Sequence, residues 1–218
     1  MTKNLSFGKS RRWALVICNG EVMPKRALAR YLKAGPFITC ADGGANKARE
    51  MGIRPHAIVG DLDSITEATL RFFRNVRTVR VRSQNSTDLE KVLVYLLRHD
   101  FCKAVVVGAM GSRPDHTMAN FSILKKYHRR LDLVFADASC DIRVVDKEIV
   151  LDLDAGSVLS LMPLGRCEGI TTSGLKYSLH REALELGVRE GTSNVVVSSP
   201  VRISVAKGSL LVFVIRKI

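Results

Sequence analysis

The chain has 218 residues, of which 46% are hydrophobic and 6% are aromatic, and it carries a formal net charge of +13. This length allows two domains with substantial cores. Apolar runs stay below the roughly 20 residues that a membrane helix needs, and the first residues lack the apolar stretch of a signal peptide, so we expect a cytoplasmic protein without a membrane partner. Because few aromatic residues accompany the dispersed basic ones, we expect a solvated basic surface and do not expect nucleic-acid binding.

The first 138 residues alternate between apolar runs that predict strands and amphipathic segments that predict helices. The predicted strands are Trp13 to Cys18, Phe37 to Cys40, the run that ends at Gly60, Thr78 to Val81, Lys103 to Val107 and Leu131 to Phe135. This alternation predicts a doubly wound, mainly parallel α/β sheet. In such a sheet, ligands bind beyond the carboxyl ends of the strands.

From about Ser139 the pattern changes to runs of alternating apolar and polar residues, broken by glycine, proline and aspartate. Runs with a period of two are typical of antiparallel strands. The predicted strands cover residues 142–145, 149–153, 157–162, 195–197, 201–205 and 209–215. The sequence therefore predicts an α/β domain of residues 1–138 followed by an all-β domain of residues 139–218.

A pair of carboxylates follows the third predicted strand directly. Asp61 and Asp63 stand at i and i+2 after Gly60, where the strand gives way to a turn. In a regular strand, residues two apart share one face, so both carboxylates could bind one hard cation such as Mg²⁺. Gly60 would leave no side chain between the backbone and a ligand. Such pairs also occur in ordinary turns, so the metal-site hypothesis depends on the other residues at the same edge of the sheet.

Further polar residues follow the other predicted strands. Asp42 follows the second strand and precedes Gly43 and Gly44, which would let backbone N–H groups approach an anion at a helix start. Asp88 falls in the first turn of a helix, as a cap or as a ligand. The whole edge carries Asp42, Asp61, Asp63, Asp88, Arg113 and Asp115. Five carboxylates and one guanidinium exceed what turns usually need and indicate a site for metal-bound phosphate.

Seven short motifs are spread over the chain. They are Asn19-Gly20, Ala41-Asp42-Gly43-Gly44-Ala45-Asn46, Gly60-Asp61-Leu62-Asp63-Ser64, Ser86-Thr87-Asp88, Gly111-Ser112-Arg113-Pro114-Asp115-His116, Ser173-Gly174-Leu175-Lys176-Tyr177-Ser178-Leu179 and Gly191-Thr192-Ser193-Asn194. In this order they make the chain resemble the thiamine pyrophosphokinase family along nearly its whole length. The resemblance implies an α/β nucleotide-binding domain, a C-terminal β-sandwich and a homodimer. It also implies pyrophosphoryl transfer from ATP to the hydroxyl of thiamine, giving thiamine diphosphate and AMP.

The resemblance also implies roles for individual residues. The implied ligands of Mg²⁺ are Asp61, Asp63 and Asp88, and the implied catalytic residues are these three with Asp42, Arg113 and Asp115. The implied ATP-binding residues are Asn19, Gly43, Gly44, Asn46, Gln84, Thr87, Gly111 and Arg113. The implied thiamine-binding residues are Ser173, Leu175, Tyr177, Ser193 and Asn194. These last residues are expected to meet the phosphate-binding edge of the partner subunit.

Several alternatives stay open at this point. Asp42 and Asp115 could each position the hydroxyl, accept its proton or fix Arg113. Ser193-Asn194 shares its composition with hairpin turns. A pyrophosphokinase for another alcohol, such as a pterin, would use the same phosphate-binding edge, and a basic nucleic-acid-binding protein would not need the carboxylates. Where the family usually has Gly-Gly-Arg, this chain has Ser112 as the middle residue, which puts efficiency and nucleotide preference in question more than the class of reaction.

Overall fold

The computed structural model describes residues 12–83, 85–111 and 113–216, and the chain divides into two structural units at residues 138/139. The first unit contains β1 (Trp13–Ile17), α1 (Lys25–Leu32), β2 (Phe37–Ala41), α2 (Gly44–Glu50), β3 (Ala57–Gly60), α3 (Glu67–Phe72), β4 (Arg77–Arg80), α4 (Asp88–Arg98), β5 (Lys103–Val107), α5 (Pro114–Tyr127) and β6 (Asp132–Ala136). The second contains β7 (Cys140–Val145), β8 (Glu148–Leu151), β9 (Val158–Pro163), β10 (Arg166–Ser173), β11 (His180–Glu185), β12 (Gly191–Val195), β13 (Val201–Ser204) and β14 (Leu210–Ile215).

The strands of the first unit form a parallel sheet in the order β6-β5-β1-β2-β3-β4. All five residues of β1 are buried, as expected for a central strand of a doubly wound sheet. The order reverses beside β1, which pairs with β2 on one side and β5 on the other. The predicted doubly wound fold is confirmed, and the loops after the strands meet at one edge of the sheet.

Side-chain caps fix where two helices of this unit begin. The hydroxyl of Thr87 accepts a hydrogen bond from the Glu90 N–H at 3.3 Å, which makes Asp88 the first residue of α4. Thr66 caps α3 in the same way through the Thr69 N–H. A capped start holds the residues of the first helical turn in fixed positions. Among the described residues, every helix falls short of the length and apolar character needed to cross a membrane.

The second unit is built from two antiparallel sheets, with orders β12-β9-β14-β7 and β11-β10-β13-β8. Leu159 and Val212 from the first sheet share one hydrophobic core with Ile170 and Ile203 from the second. A single core between two sheets is the arrangement of a β-sandwich. The predicted C-terminal β-sandwich is therefore confirmed.

The strands predicted for this unit are wrong in part, because they omit β10 and β11 and begin β12 too late. The pairing between β10 and β11 shifts register between Cys167 and Ile170 and again before Thr171. An irregular register breaks the alternation on which a period-two prediction depends. In β11, only Leu184 is buried, so that strand presents little apolar signal.

Replacing Gly44 with alanine is expected to lower the free energy of unfolding by roughly 1–3 kcal/mol. An added Cβ would lie 2.1 Å from the Ile17 carbonyl oxygen, so α2 would have to move away from β1. Urea denaturation of Gly44→Ala measures the effect. Glu50→Ala, at the exposed end of the same helix, is the matched control and should change the stability by less than about 0.5 kcal/mol. Wild-type stability in Gly44→Ala would contradict this close packing.

Candidate active site

Three carboxylates from different loops converge at the carboxyl edge of the parallel sheet. One oxygen each of Asp42, after β2, of Asp61, after β3, and of Asp88, at the start of α4, lie within 4.8 Å of one another. Parallel strands end at the same edge, and this brings together residues that are far apart in the sequence. We call these three residues the acidic cluster.

The position of Asp42 depends on two backbone features. Its φ of 42° lies in the left-handed region, which aspartate tolerates better than most residues, and its N–H donates to the Val59 carbonyl at 3.0 Å. A Cβ added to Gly60 would lie 2.7 Å from the Asp42 Cβ. The sequence predicts that the missing side chain of Gly60 leaves space for a ligand. In the structure, the Asp42 side chain fills that space.

Lys91 is a residue of this site that the sequence analysis missed. It lies on α4 one turn after Asp88, with its side chain 2% exposed. Its Nζ donates to Asp61 Oδ2 at 2.7 Å and to Asp88 Oδ1 at 2.9 Å. Lysine is almost never fully buried unless it is paired. The signal for it was present in the sequence, since Asp88 and Lys91 share one helix face at a spacing of i and i+3.

Asp63, which the family resemblance implies as a ligand of Mg²⁺, lies beside the acidic cluster, and Asp42 belongs to the cluster. The reason is that β3 ends at Gly60 and Leu62 adopts a φ of 71°, so Asp61 and Asp63 do not belong to a regular strand. Asp63 is exposed and accepts a hydrogen bond from the neighbouring Ser64 hydroxyl at 3.0 Å. Its carboxyl group also contacts that of Asp42.

The carboxyl groups of the cluster differ in their affinity for protons. Burial, and after it the negative charge of Asp88, raises the pKa of Asp42 to about 7. The hydrogen bond from Lys91 lowers the pKa of Asp61. The Asp61 carboxylate therefore stays ionised near neutral pH, whereas the Asp42 carboxyl group gains or loses its proton in that pH range.

Two oxygen atoms indicate whether a metal ion fits the cluster. Within the described residues, Asp42 Oδ1 and Asp61 Oδ1 are both buried and have no hydrogen-bond partner. A buried polar atom without a partner is costly unless an ion or water satisfies it. Carboxylate oxygens are also the ligands that Mg²⁺ prefers. The donor set and the two unpartnered oxygens therefore fit a divalent cation.

Arg113 and Asp115 form a bidentate ion pair at the start of α5. The guanidinium donates through Nε to Oδ1 at 2.9 Å and through Nη2 to Oδ2 at 2.6 Å. The hydrogen bond from Arg113 lowers the pKa of Asp115 below its usual range. Of the roles left open for Asp115, this geometry matches the one in which it fixes Arg113, and the low pKa makes Asp115 a poor proton acceptor.

A cavity of about 610 Å³ opens at the same edge of the first unit. The predicted ATP-binding residues in its walls are Asn19, Gly43, Thr87, Gly111 and Arg113. The Gly20 N–H donates to the Gly108 carbonyl at 2.9 Å, which joins the loops after β1 and β5. The predicted residue Gln84 and the variant position Ser112 lie outside the described residues.

Two other predicted ATP-binding residues have packing and hydrogen-bond contacts within the unit. Asn46 donates to the Ser64 carbonyl at 2.9 Å and accepts from the Thr66 N–H at 3.1 Å. Gly44 is buried against β1, as its close approach to Ile17 shows. Both residues therefore hold the loop after β3 and the start of α2 in place.

The two motifs predicted to bind thiamine are neighbours in the second unit. The Lys176 N–H donates to the Val195 carbonyl at 2.8 Å. The Asn194 side chain is buried, and its Oδ1 accepts from the Tyr177 N–H at 3.1 Å while its Nδ2 donates to the Tyr177 carbonyl at 2.7 Å. Asn194 therefore holds the backbone of Tyr177.

The remaining residues of these motifs differ in exposure. Tyr177 is 60% exposed, and Ser173 and Ser193 are exposed as well. Leu175 is buried in the core of the sandwich. Ser193 and Asn194 lie in β12 and not in a hairpin turn. The surface available to a ligand is thus formed by Tyr177 and the two serines, with Leu175 and Asn194 beneath it.

Comparison with known proteins places both units in one family. The family "Thiamin pyrophosphokinase, catalytic domain" matches residues 28–135, and "Thiamin pyrophosphokinase, vitamin B1 binding domain" matches residues 146–210. The crystal structure of thiamine pyrophosphokinase from Bacillus subtilis superimposes with a TM-score of 0.84 at 23% identity, covering 95% of this chain and 100% of that chain. That structure supports the fold.

Two eukaryotic proteins are similar over most of their length. Thiamine pyrophosphokinase 1 of Arabidopsis thaliana is 30% identical and the alignment covers 85% of this chain and 79% of the relative. Thiamin pyrophosphokinase 1 of Caenorhabditis elegans is 30% identical, with 84% and 81% covered. Since both domains match in order and these relatives align almost throughout, the chain belongs to the thiamine pyrophosphokinase family.

Proposed function

We propose that this chain is an enzyme that transfers the pyrophosphoryl group of ATP to the hydroxyl of thiamine, giving thiamine diphosphate and AMP. The observation that carries the proposal is the acidic cluster, in which three loops bring carboxylates together and leave two buried oxygens without a partner among the described residues. Thiamine is the proposed alcohol because a vitamin B1 binding domain matches residues 146–210. A pyrophosphokinase for a pterin would share the phosphate-binding edge but would not need that domain.

The proposed reaction is an attack of the thiamine hydroxyl oxygen on the β-phosphorus of ATP. A bond forms between these two atoms, and the bond from the β-phosphorus to the oxygen that bridges to the α-phosphorus breaks, so AMP leaves. Transfers of this kind depend mainly on positioning and on neutralising the phosphate oxygens. A strong protein base is therefore not required, and the hydroxyl proton can leave to water.

The acidic cluster and Arg113 are the groups that we propose to bind the phosphates of ATP and their metal ion. We propose that the cluster holds Mg²⁺, with Asp63 beside it, and bound Mg²⁺ would neutralise charge on the triphosphate. Arg113 lines the cavity and uses two of its five N–H donors on Asp115, so it retains donors for a phosphate oxygen. Asp115 is then a positioning residue for Arg113.

The exposed surface around Tyr177 is the proposed binding site for thiamine. The ring is available to pack against a flat aminopyrimidine, and the nearby hydroxyls of Ser173 and Ser193 can form hydrogen bonds. Asn194 would act by holding Tyr177 in place. This assignment gives Asn194 a positioning role, whereas the family resemblance implies direct binding.

We also propose a homodimer joined through the second unit. Leu186 and Val188, at the tip between β11 and β12, are 55% and 77% exposed, and pairing would remove such apolar surface from water. The cytoplasmic location that the sequence predicts stays a prediction.

The reaction can be tested directly with the purified protein. Thiamine, ATP and Mg²⁺ should give AMP and thiamine diphosphate in equal amounts, detected by chromatography. Asp61→Asn should lower turnover at least a hundredfold, about 2.7 kcal/mol, because it removes a charged ligand. Asp132→Asn, at the opposite edge of the sheet, is the matched control and should keep its activity. AMP formation with a pterin alcohol but not with thiamine would replace the proposed substrate.

The buried charge of Asp42 should make stability depend on pH in the metal-free protein. Because its pKa rises from 3.8 to about 7 on folding, the native state binds a proton that the unfolded chain releases, and the resulting stability is lost as pH rises through 7. Asp42→Asn should therefore stabilise the protein more at pH 8 than at pH 5, by at least about 1 kcal/mol. Urea denaturation with a chelator measures this difference, with Asp154→Asn as the exposed control. Equal effects at both pH values would contradict it.

Asn194→Ala should raise the KM for thiamine or lower kcat/KM by roughly ten- to a hundredfold, because two hydrogen bonds to Tyr177 are lost at about 1 kcal/mol each. The KM for ATP should change little, since the cavity lies in the other unit. Steady-state kinetics with each substrate varied in turn separate the two constants. Asn75→Ala, in the exposed turn after α3, should behave as wild type. An unchanged thiamine KM and kcat in folded Asn194→Ala would exclude this role.

A further inference from the structure

Lys91 is a positive charge fixed inside the acidic cluster. Its side chain is 2% exposed, and its Nζ lies 2.7 Å from Asp61 Oδ2 and 2.9 Å from Asp88 Oδ1. A buried ammonium in contact with two carboxylates is held by attraction from both and cannot turn to water. Two of the three carboxylates of the cluster therefore share one permanent cation.

The oxygens of the cluster fall into two sets. Asp61 Oδ2 and Asp88 Oδ1 accept hydrogen bonds from Lys91, whereas Asp61 Oδ1 and Asp42 Oδ1 are buried and have no partner in the part of the chain that the structure describes. One oxygen of the Asp61 carboxylate thus contacts the ammonium of Lys91, and its other oxygen remains available to an ion. An ion bound to this second oxygen would contact the same carboxylate as Lys91. At such a separation, the positive charges of the ion and of Lys91 repel each other.

The charges of the cluster set how strongly it attracts a metal ion. When all three carboxylates are ionised, they carry three negative charges, and Lys91 reduces this to two. Two arginines of this edge have other contacts: Arg80 donates to the backbone carbonyl of Asp61 at 3.2 Å, and Arg113 pairs with Asp115. Affinity for hard cations rises with the number of charged ligands. The cluster with Lys91 should therefore hold a divalent ion less tightly than its three carboxylates would alone.

We propose that Lys91 limits the metal affinity of the free enzyme, so that a divalent ion is held firmly only when triphosphate oxygens complete its ligands. This inference rests on the proposed metal site and nucleotide substrate. The Lys91 ammonium lies where its positive charge weakens binding of the metal ion alone. A bound triphosphate would add negative charge that compensates for the charge of Lys91. Lys91 also orients Asp61 and Asp88, which makes it a positioning residue.

The sign of the effect separates this role from a purely structural one. If Lys91 only held the two aspartates in place, its removal would loosen the cluster and weaken metal binding. If it limits affinity through its charge, its removal should tighten metal binding even though the fold loses an ion pair. Lys91→Arg keeps the charge and should keep the wild-type affinity.

The test is the binding of Mn²⁺ alone to the metal-free protein at pH 8, followed through the electron paramagnetic resonance signal of free Mn²⁺. Lys91→Met should bind Mn²⁺ at least tenfold more tightly than wild type. Lys103→Met, which removes a partly buried lysine paired with Asp132 at the other edge of the sheet, should not change the affinity. Lys91→Gln gives the same comparison if Lys91→Met does not fold.

The possible outcomes are distinct. Equal or weaker Mn²⁺ binding in Lys91→Met and Lys91→Gln would overturn the proposal for Lys91. If Asp42→Asn and Asp61→Asn bind Mn²⁺ as the wild type does, the ion is not held by the acidic cluster, and the proposed metal site fails together with this inference. Tighter binding in Lys91→Met with weaker binding in Asp61→Asn supports both.

Discussion

The attraction between one buried ammonium and the carboxylates around it is the interaction on which the active site of this fold depends. Asp42, Asp61 and Asp88 repel one another at a separation below 5 Å, and burial strengthens that repulsion. Lys91 compensates part of it because α4 places the lysine one turn after Asp88, where it reaches Asp61 as well. The chain can therefore fold with these three carboxylates held close together.

The same crowding explains several backbone features at this edge of the sheet. Asp42 and Leu62 both have positive φ values, and Gly60 lies so close to the Asp42 side chain that a Cβ would clash. Conformations of this kind cost energy and persist only where the surrounding structure enforces them. Here the enforcing structure is the pairing of β2 with β3, which fixes where the two loops leave the sheet. The strain in these loops therefore accompanies the close approach of the carboxylates.

Much of the fold could be predicted from the sequence because the strands of the first unit, apart from the exposed edge strand β4, are short apolar runs between turn signals. The edge of the sheet at which the site lies follows from that alternation, and so Asp42, Asp61 and Asp88 could be grouped in advance. The exclusion of Asp63 from this cluster could not be predicted, because it depends on the φ of Leu62, a property of the folded loop. Lys91 was missed since an i and i+3 pair on a helix usually indicates a solvated ion pair, and only the tertiary structure reveals its burial.

In the second unit, prediction was limited by irregular pairing. β10 carries register shifts, and the polar residues of β11 gave no alternation, so a quarter of the strands in this sandwich left no simple sequence signal. Asn194 shows a related limit, because a motif can identify a residue without indicating whether it contacts the ligand or supports a neighbour. Its amide pairs with both backbone groups of Tyr177, which makes the exposed ring the more direct candidate for contact.

The overall charge of the protein and the charge of its site have opposite signs, and both fit a nucleotide substrate. A net charge of +13 draws anions toward the protein over distances set by the ionic strength. At contact distance, we expect the acidic cluster to repel a bare triphosphate, and the proposed divalent cation would offset that repulsion. A nucleic-acid backbone without such a cation would meet the same repulsion. On this proposal, the basic surface favours the approach of the nucleotide, and the carboxylates favour its metal-bound form.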